Sequence, residues 1–343
     1  MGLSLFIFHF NTMAVSIKDI QKLREMTGAG LADCKKALEE SEGNIDAAIE
    51  IIRKKGQAVA AKRSDREASE GCVLVKVDGD FAAIIALKCE TDFVANNADF
   101  VKLTQDILDA AVAARCKTLD EVKALPMGDA TVQDAVVARS GITGEKMELD
   151  GYSVVEGASI ATYDHQNKHT LCVMVALNKA VEDATVGKNV AMQIASANPV
   201  AIDQTAVPQE TIDSELRVAV EKTKEEQIAK AVEAAIRKAG VNPAHVDSDD
   251  HIESNMAKGW ITPEQAQMVR ELKVKVAEEK AANLPEQMIQ NIAQGRLKKF
   301  FKENCLLEQE YIWDKNQTVA QYLHSVDKEL TVTAFRRFTL RAE

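Results

Sequence analysis

The chain is predicted to be α+β, with an N-terminal three-helix bundle, a two-part core of small antiparallel sheets with helices, and a projecting antiparallel helical hairpin. Three observations predict this. Residues 16–56 carry apolar side chains at helical spacing cut by glycines; residues 70–87 and 156–177 change to extended patterns around polar turns, each followed by a helix; and residues 214–283 hold a long one-sided apolar stripe with one interruption. A chain of 343 residues exceeds what one small core requires. The expected divisions are an extension at 1–12, the bundle at 13–57, a first core subdomain at 58–150, the first part of a second at 151–213, the hairpin at 214–283, and a C-terminal helix and strand at 284–343 completing the core.

The bundle begins at Ser16, an N-cap with Asp19 three residues on, ahead of Ile17, Ile20 and Leu23. Gly28 and Gly30 force a turn. A second helix starts near Leu31 and stops before Gly43, and a third carries Ile45, Ala48, Ile49 and Ile52 on one face, with Gly56 expected to end it. About forty residues lies near the lower limit for independent folding, so docking onto something is a natural role for such a bundle.

After a basic, Ala-rich connector at 58–66, Val73, Val75 and Val77 alternate up to the turn Asp78, Gly79, Asp80, and residues 81–87 return as an apolar strand. Asn97 caps a helix with Phe100, Val101, Ile107, Leu108 and Ala111 at helical spacing. The same order recurs downstream: a strand at 159–163, a polar turn at 164–168, a strand at 170–177 and a helix at 186–197. Glu156 and Gly157 precede it as Glu70 and Gly71 precede the first unit, so two related subdomains are inferred. In the hairpin, Leu216, Val220, Ile228, Val232 and Ala235 face Val269, Leu272 and Val276; Gly240 ends the first helix and Thr262, Pro263 and Gln265 start the second. Pro285 opens a further helix, and residues 330–340 close the chain as a strand.

Composition excludes several functions. With 42 Lys plus Arg against 53 Asp plus Glu, the net charge of -11 disfavours broad attraction to nucleic acid or anionic lipid and favours a basic partner patch. Aromatic residues make up only 5%, which speaks against an aromatic-lined cofactor pocket. Cys34, Cys72, Cys89, Cys116, Cys172 and Cys305 stand at neither metal-ligand nor redox spacing, as expected of reduced thiols with no disulfide and no zinc. The apolar run at 5–10 is too short to span a bilayer and lacks a basic start, so residues 1–12 read as a disordered extension or a mis-assigned start, with Met13 as the expected true start.

No P-loop is present, and Gly28, Ala29, Gly30 lies between helices, so direct nucleotide binding is unsupported. His165 and His169 fall in a predicted turn without a third ligand, and no G-x-S-x-G elbow occurs. Arg296, Lys298 and Lys299, with Glu303 and Glu308 nearby, read as a solvated helix face. The unusual segment is Cys89 to Asn97, where Phe93 stands among polar residues between a strand and a helix. Two readings stay open: Phe93 tucked into the core beside a capping Asp92 or Asn97, which the usual burial of Phe favours, or Phe93 held at a rigid tip for insertion into a partner. A metal site built on Glu90 and Asp92 alone would lack further ligands.

Leu23, Arg24, Glu25, then Thr27, Gly28, Ala29, Gly30, then Asp33, Cys34, Lys35, Lys36, Ala37, Leu38 resemble the first signature of the elongation factor Ts family, and Glu90, Thr91, Asp92, Phe93, Val94, Ala95 resemble its second. Ala195, Ser196, Ala197, Asn198, Pro199, then Gly295, Arg296, Leu297, Lys298, Lys299, Phe300, then Leu306, Leu307 and Gln309 agree in order, so the resemblance covers residues 13–343. It implies a cytoplasmic guanine nucleotide exchange factor that binds elongation factor Tu, GDP-bound and nucleotide-free, with a ubiquitin-associated-like bundle, no covalent chemistry, no cofactor and no metal of its own. It further implies that Thr91, Asp92, Phe93 and Val94 intrude near the Mg2+ of the GTPase, that Arg24, Leu31 and Ala32 dock on its nucleotide-binding domain, and that His165 contacts another domain. Two departures stand out: Gln166, Asn167 and Lys168 follow His165 where relatives often have a Gly-rich turn, and the hairpin is longer than in many members. The rival expectation is a protein-binding module without exchange activity; homo-oligomerisation is left open.

Overall fold

The computed structural model describes residues 15–340, and the expected extension at 1–12 lies outside them. The chain is mixed α+β and divides into two compact units, one formed by the described residues up to Asn198 together with those from Ala320 onward, the other by Pro199–Val319.

The first unit opens with helices α1 (Ile17–Thr27), α2 (Leu31–Glu40) and α3 (Ile45–Lys62). Ser16 accepts from the Asp19 N–H at the start of α1, and Gly28 closes that helix in the left-handed region at φ 67°, a geometry glycine adopts without the Cβ penalty. Leu23, Cys34, Leu38, Ala48 and Ile52 form the bundle core. Gly56 does not end α3, contrary to the sequence expectation; the helix runs six residues further, through most of the supposed connector, to Lys62. The reason is a close crossing: a Cβ on Gly141 would lie 2.5 Å from the Gly56 Cα. Gly56 thus allows backbone approach between two helices and interrupts neither.

Strands β1 (Glu70–Asp78) and β2 (Phe81–Cys89) form the expected hairpin. After the short α4 (Asp92–Ala95) come α5 (Ala98–Ala113), α6 (Leu119–Ala124), a ribbon of β3 (Pro126–Met127) with β4 (Ala130–Thr131), α7 (Val132–Thr143) and β5 (Glu148–Glu156). β5 pairs antiparallel with β2, so the first sheet has the order β1-β2-β5. The sequence division at 150/151 therefore falls inside a strand that belongs to the first sheet. Central position explains the unbroken apolar run of β2: Phe81, Ala83, Ile85 and Leu87 face the helices, while Ala82, Ile84 and Ala86 face a second sheet.

That second sheet contains β6 (Ser159–Asp164) and β7 (Leu171–Leu177), followed by α8 (Ala184–Ala197). Its order is β10-β7-β6, where β10 is the C-terminal strand Val332–Thr339. In both sheets the added third strand pairs with the second strand of the hairpin. Cys172, Met174 and Ala176 of β7 pack between the sheets, and α8 covers the other face, its Gly187 lying against Ala161.

The second unit holds α9 (Gln209–Lys238), α10 (Asp249–Ala257), α11 (Pro263–Ala282), α12 (Glu286–Asn304) and the ribbon of β8 (Glu310–Tyr311) with β9 (Asp314–Thr318). Helix α13 (Val319–Val326) then leads into β10. Thr262 and Gln265 form the expected reciprocal capping box. Much of the α9 stripe, including Leu216, Val220 and Val232, is only half-buried, because a thin helical layer cannot enclose it. The segment between α9 and α11 is more than a turn: Ile236, Val241, Val246, Ile252, Ile261 and Val269 make a core of their own. α12 packs along α9, with Arg296 joined to Glu226 at 2.6 Å.

Candidate functional site

The tip at the end of β2 is built by two carboxylates that reach across a long sequence interval. The Glu145 Oε2 accepts the backbone N–H groups of Glu90 and Thr91, each at 3.1 Å, and its Oε1 accepts the Thr91 hydroxyl at 2.6 Å. In return the Glu90 Oε1 accepts the Lys146 N–H at 2.6 Å. Arg63, at the C-cap of α3, donates to both Glu90 oxygens at 3.0 and 2.9 Å. The Lys146 N–H, and after it the Arg63 charge, hold the Glu90 carboxyl below its ordinary value of 4.5, against partial burial that pushes it up. Burial, and then the Glu145 charge, push the neighbouring Cys89 thiol up to about 12, which keeps it un-ionised.

Thr91 then starts α4: its hydroxyl accepts the Val94 N–H at 3.4 Å, while the Asn96 side chain donates to the Asp92 carbonyl at 2.8 Å. One turn later the Asn97 side chain caps α5. With Ala95 buried beneath it, this short helix turns Phe93 outward, where the residue is 85% exposed. Of the two readings the sequence left open, burial of Phe93 in its own core is excluded, and it is Ala95 with half-buried Val94 that packs inward. Asp92 is exposed beside Phe93 and Thr91 is half-buried.

Arg24, Leu31 and Ala32 are exposed on the bundle, on either side of the turn at Gly28 to Gly30. The Gly28 N–H donates to the Arg24 carbonyl at 2.7 Å, and the buried Ala29 anchors the turn from below. Met26, which the sequence reading did not single out, is 52% exposed, about as much as Leu31. Beneath the turn, Ile142 near the C-terminus of α7 packs against the bundle core. α7 therefore packs on the bundle both through Ile142 and at its close crossing with α3 at Gly56 and Gly141, and braces the tip just beyond its end.

His165 stands in the turn between β6 and β7. Its Nδ1 meets the Tyr163 hydroxyl at 3.0 Å, while His169 pairs with Asp164 at 2.5 Å, so the two histidines have different partners and share no ligand geometry. Gln166, Asn167 and His169 all adopt positive φ, a tight turn reached here without glycine. An open cleft of about 640 Å³ beside the tip is lined by Asn96, Lys102, Lys168 and His169 among others. Among the described residues no group of three or more His, Cys, Asp or Glu side chains could hold a metal, and no helix is long and apolar enough to cross a membrane. Sequence reasoning marked the tip but missed Glu145, Lys146 and Arg63, since partners 54 to 56 or 27 residues away leave no spacing signal.

The family model described as Elongation factor TS matches residues 90–243 and 218–342. The Elongation factor Ts of Bacteroides fragilis is 67% identical over 331 residues, covering 96% of this chain and 100% of that protein. That of Porphyromonas gingivalis is 44% identical over 332 residues, again 96% and 100%. That of Azobacteroides pseudotrichonymphae is 35% identical over 331 residues, with the same coverage. The chain belongs to the elongation factor Ts family.

Proposed function

We propose that the chain is a guanine nucleotide exchange factor that binds elongation factor Tu, in its GDP-bound and nucleotide-free forms in the cytoplasm, and promotes GDP release by inserting the Thr91–Val94 tip near the Mg2+ and phosphates of that GTPase. Family membership carries the coarser part, a role in translation elongation as an exchange factor for Tu. The observation that carries the finer part is the 85% exposure of Phe93 on a turn braced at its base by Glu145 and, through Glu90, by Arg63. A large apolar ring held in water by a rigid scaffold gains free energy only when a partner buries it.

No bond is broken in this mechanism. Phe93 and Asp92 displace the loops around the metal, and the nucleotide loses contacts that held it. Arg24, Leu31 and Ala32 supply the docking contact on the nucleotide-binding domain, and His165 a further contact through the second sheet. Because coupling is reciprocal, GDP weakens the factor by the same factor as the factor weakens GDP, so an incoming nucleotide expels it. The net charge of -11 suits a basic patch on the partner.

The test is release of a fluorescent GDP from Tu, followed by stopped flow with increasing amounts of the full chain. Acceleration that saturates with factor concentration is expected; stoichiometric binding without acceleration would instead assign a binding module.

A further inference from the structure

We propose that Glu145 is a positioning residue for exchange: its carboxylate sets the conformation of the tip that carries Phe93, and α7 transmits the seating of the N-terminal bundle to that tip. The inference rests on the insertion reading above and adds to it a residue outside both signature segments. Three donors converge on this one carboxylate, the Glu90 and Thr91 N–H groups and the Thr91 hydroxyl. Because the Thr91 hydroxyl spends its proton on Glu145, its lone pairs are left to accept the Val94 N–H, which begins the helical turn on which Phe93 sits. Glu145 thus fixes the direction of a hydrogen-bond chain that ends at the ring.

The carboxylate is itself held from below. Gly144 closes α7 in the left-handed region at φ 75°. The Ser140 hydroxyl donates to the Glu145 carbonyl at 2.5 Å, and the Glu145 N–H donates to the Thr143 hydroxyl at 3.3 Å. Two residues before that cap, Ile142 packs on the bundle core, its Cδ1 3.5 Å from where a Gly28 side chain would begin. The opposite strand of the brace reaches the same bundle through Arg63 on Glu90. Both carboxylates at the base of the tip are therefore referenced to the bundle, Glu145 through Ile142 on its core and Glu90 through Arg63 at the C-cap of α3, so bundle and ring keep a set relation when the factor docks.

The experiment compares wild type, Phe93→Ala, Glu145→Ala, Glu145→Gln and the double variant Phe93→Ala/Glu145→Ala in stopped-flow GDP release, with amide hydrogen exchange on the free proteins. Glu145→Ala is expected to lower the saturating release rate by about tenfold or more, the equivalent of one charge-assisted hydrogen bond, while half-saturation by factor moves much less. Exchange of the Thr91 and Val94 amides should speed up in the same variant. Glu145→Gln, whose carbonyl can take the two N–H groups but whose amide cannot accept the Thr91 hydroxyl, should recover only part of the rate. In the Phe93→Ala background, Glu145→Ala should have little further effect, because its influence runs through the ring. General loss of structure would add to the Phe93 defect instead of disappearing into it. A Glu145→Ala protein with wild-type release, or additive losses in the double variant, overturns the positioning role while leaving insertion intact; wild-type release by Phe93→Ala overturns insertion itself. Should Glu145→Ala fail to fold, Glu145→Asp keeps the charge but withdraws both oxygens by one methylene, and the same comparisons decide.

Discussion

Phe93→Ala removes a ring that its own chain scarcely covers. With 85% of the residue exposed, the folded state gives up almost no burial, and the unfolding free energy should change by less than about 0.5 kcal/mol, the range of surface substitutions away from special features. In the complex the ring would be desolvated. Full burial of a Phe side chain contributes about 1.5–3 kcal/mol, and scaling by the area still free leaves roughly 1.3–2.6 kcal/mol, or about eight- to seventyfold in the stability of whichever state buries it. If the ring is buried mainly while the nucleotide is leaving, that factor falls on the release rate at saturating factor; if it is buried equally before release, it falls on half-saturation. Stopped-flow release of fluorescent GDP from Tu over a range of factor concentrations separates the two, and urea unfolding of the same preparation checks the fold. Unchanged release at unchanged stability would refute the reasoning, and so would a loss of several kcal/mol in stability, since that would make the ring part of its own core.

Three further outcomes are expected. Gly141→Val puts side-chain atoms where the α3–α7 crossing leaves 2.5 Å between the new Cβ and Gly56; the forced separation should cost about 1–3 kcal/mol in urea unfolding, and an unshifted midpoint would show that the crossing is not tight. Leu31→Glu alters a side chain that is 50% exposed, so the bundle should stay within about 0.5 kcal/mol of wild type while calorimetric affinity for nucleotide-free Tu falls by about fivefold or more; equal affinity would remove Leu31 from the docking face. Glu90 sits below its ordinary value of 4.5 in the folded chain, so its contribution is fully present above that value and is lost as pH falls through the lower folded value. Glu90→Gln should therefore be less stable than wild type near neutrality and lose less between pH 5 and acid, about pH 3; parallel stability curves would refute the link.

Local chemistry was legible from the residues alone. Ser16, Asn97 and Thr262 were identified as N-caps because a cap needs only its own side chain and an N–H two or three residues on. The hairpin of β1 and β2 followed from alternation on either side of Asp78, Gly79 and Asp80. Helix α7 was not identified. Its Val132 and Val136 face the first sheet while Ile142 faces the bundle, so apolar residues point to opposite sides and the helical period is blurred. The membership of β5 was missed for a related reason, since its partner β2 lies sixty to seventy-five residues earlier by the register Lys88 with Glu148 to Phe81 with Glu156.

The sequence by itself determined the class of the fold, the helix boundaries set by caps, and the segment Glu90 to Ala95 as the place to look, because each is encoded within a few neighbouring residues. Only the tertiary structure decided that Gly56 is a crossing point, that Phe93 faces water, and that Glu145 holds the turn beneath it. The physical reason is the same in each case: a glycine, a ring or a carboxylate acquires its role from what the folded chain brings beside it, and residues far apart in sequence impose no spacing by which that neighbour could be read in advance.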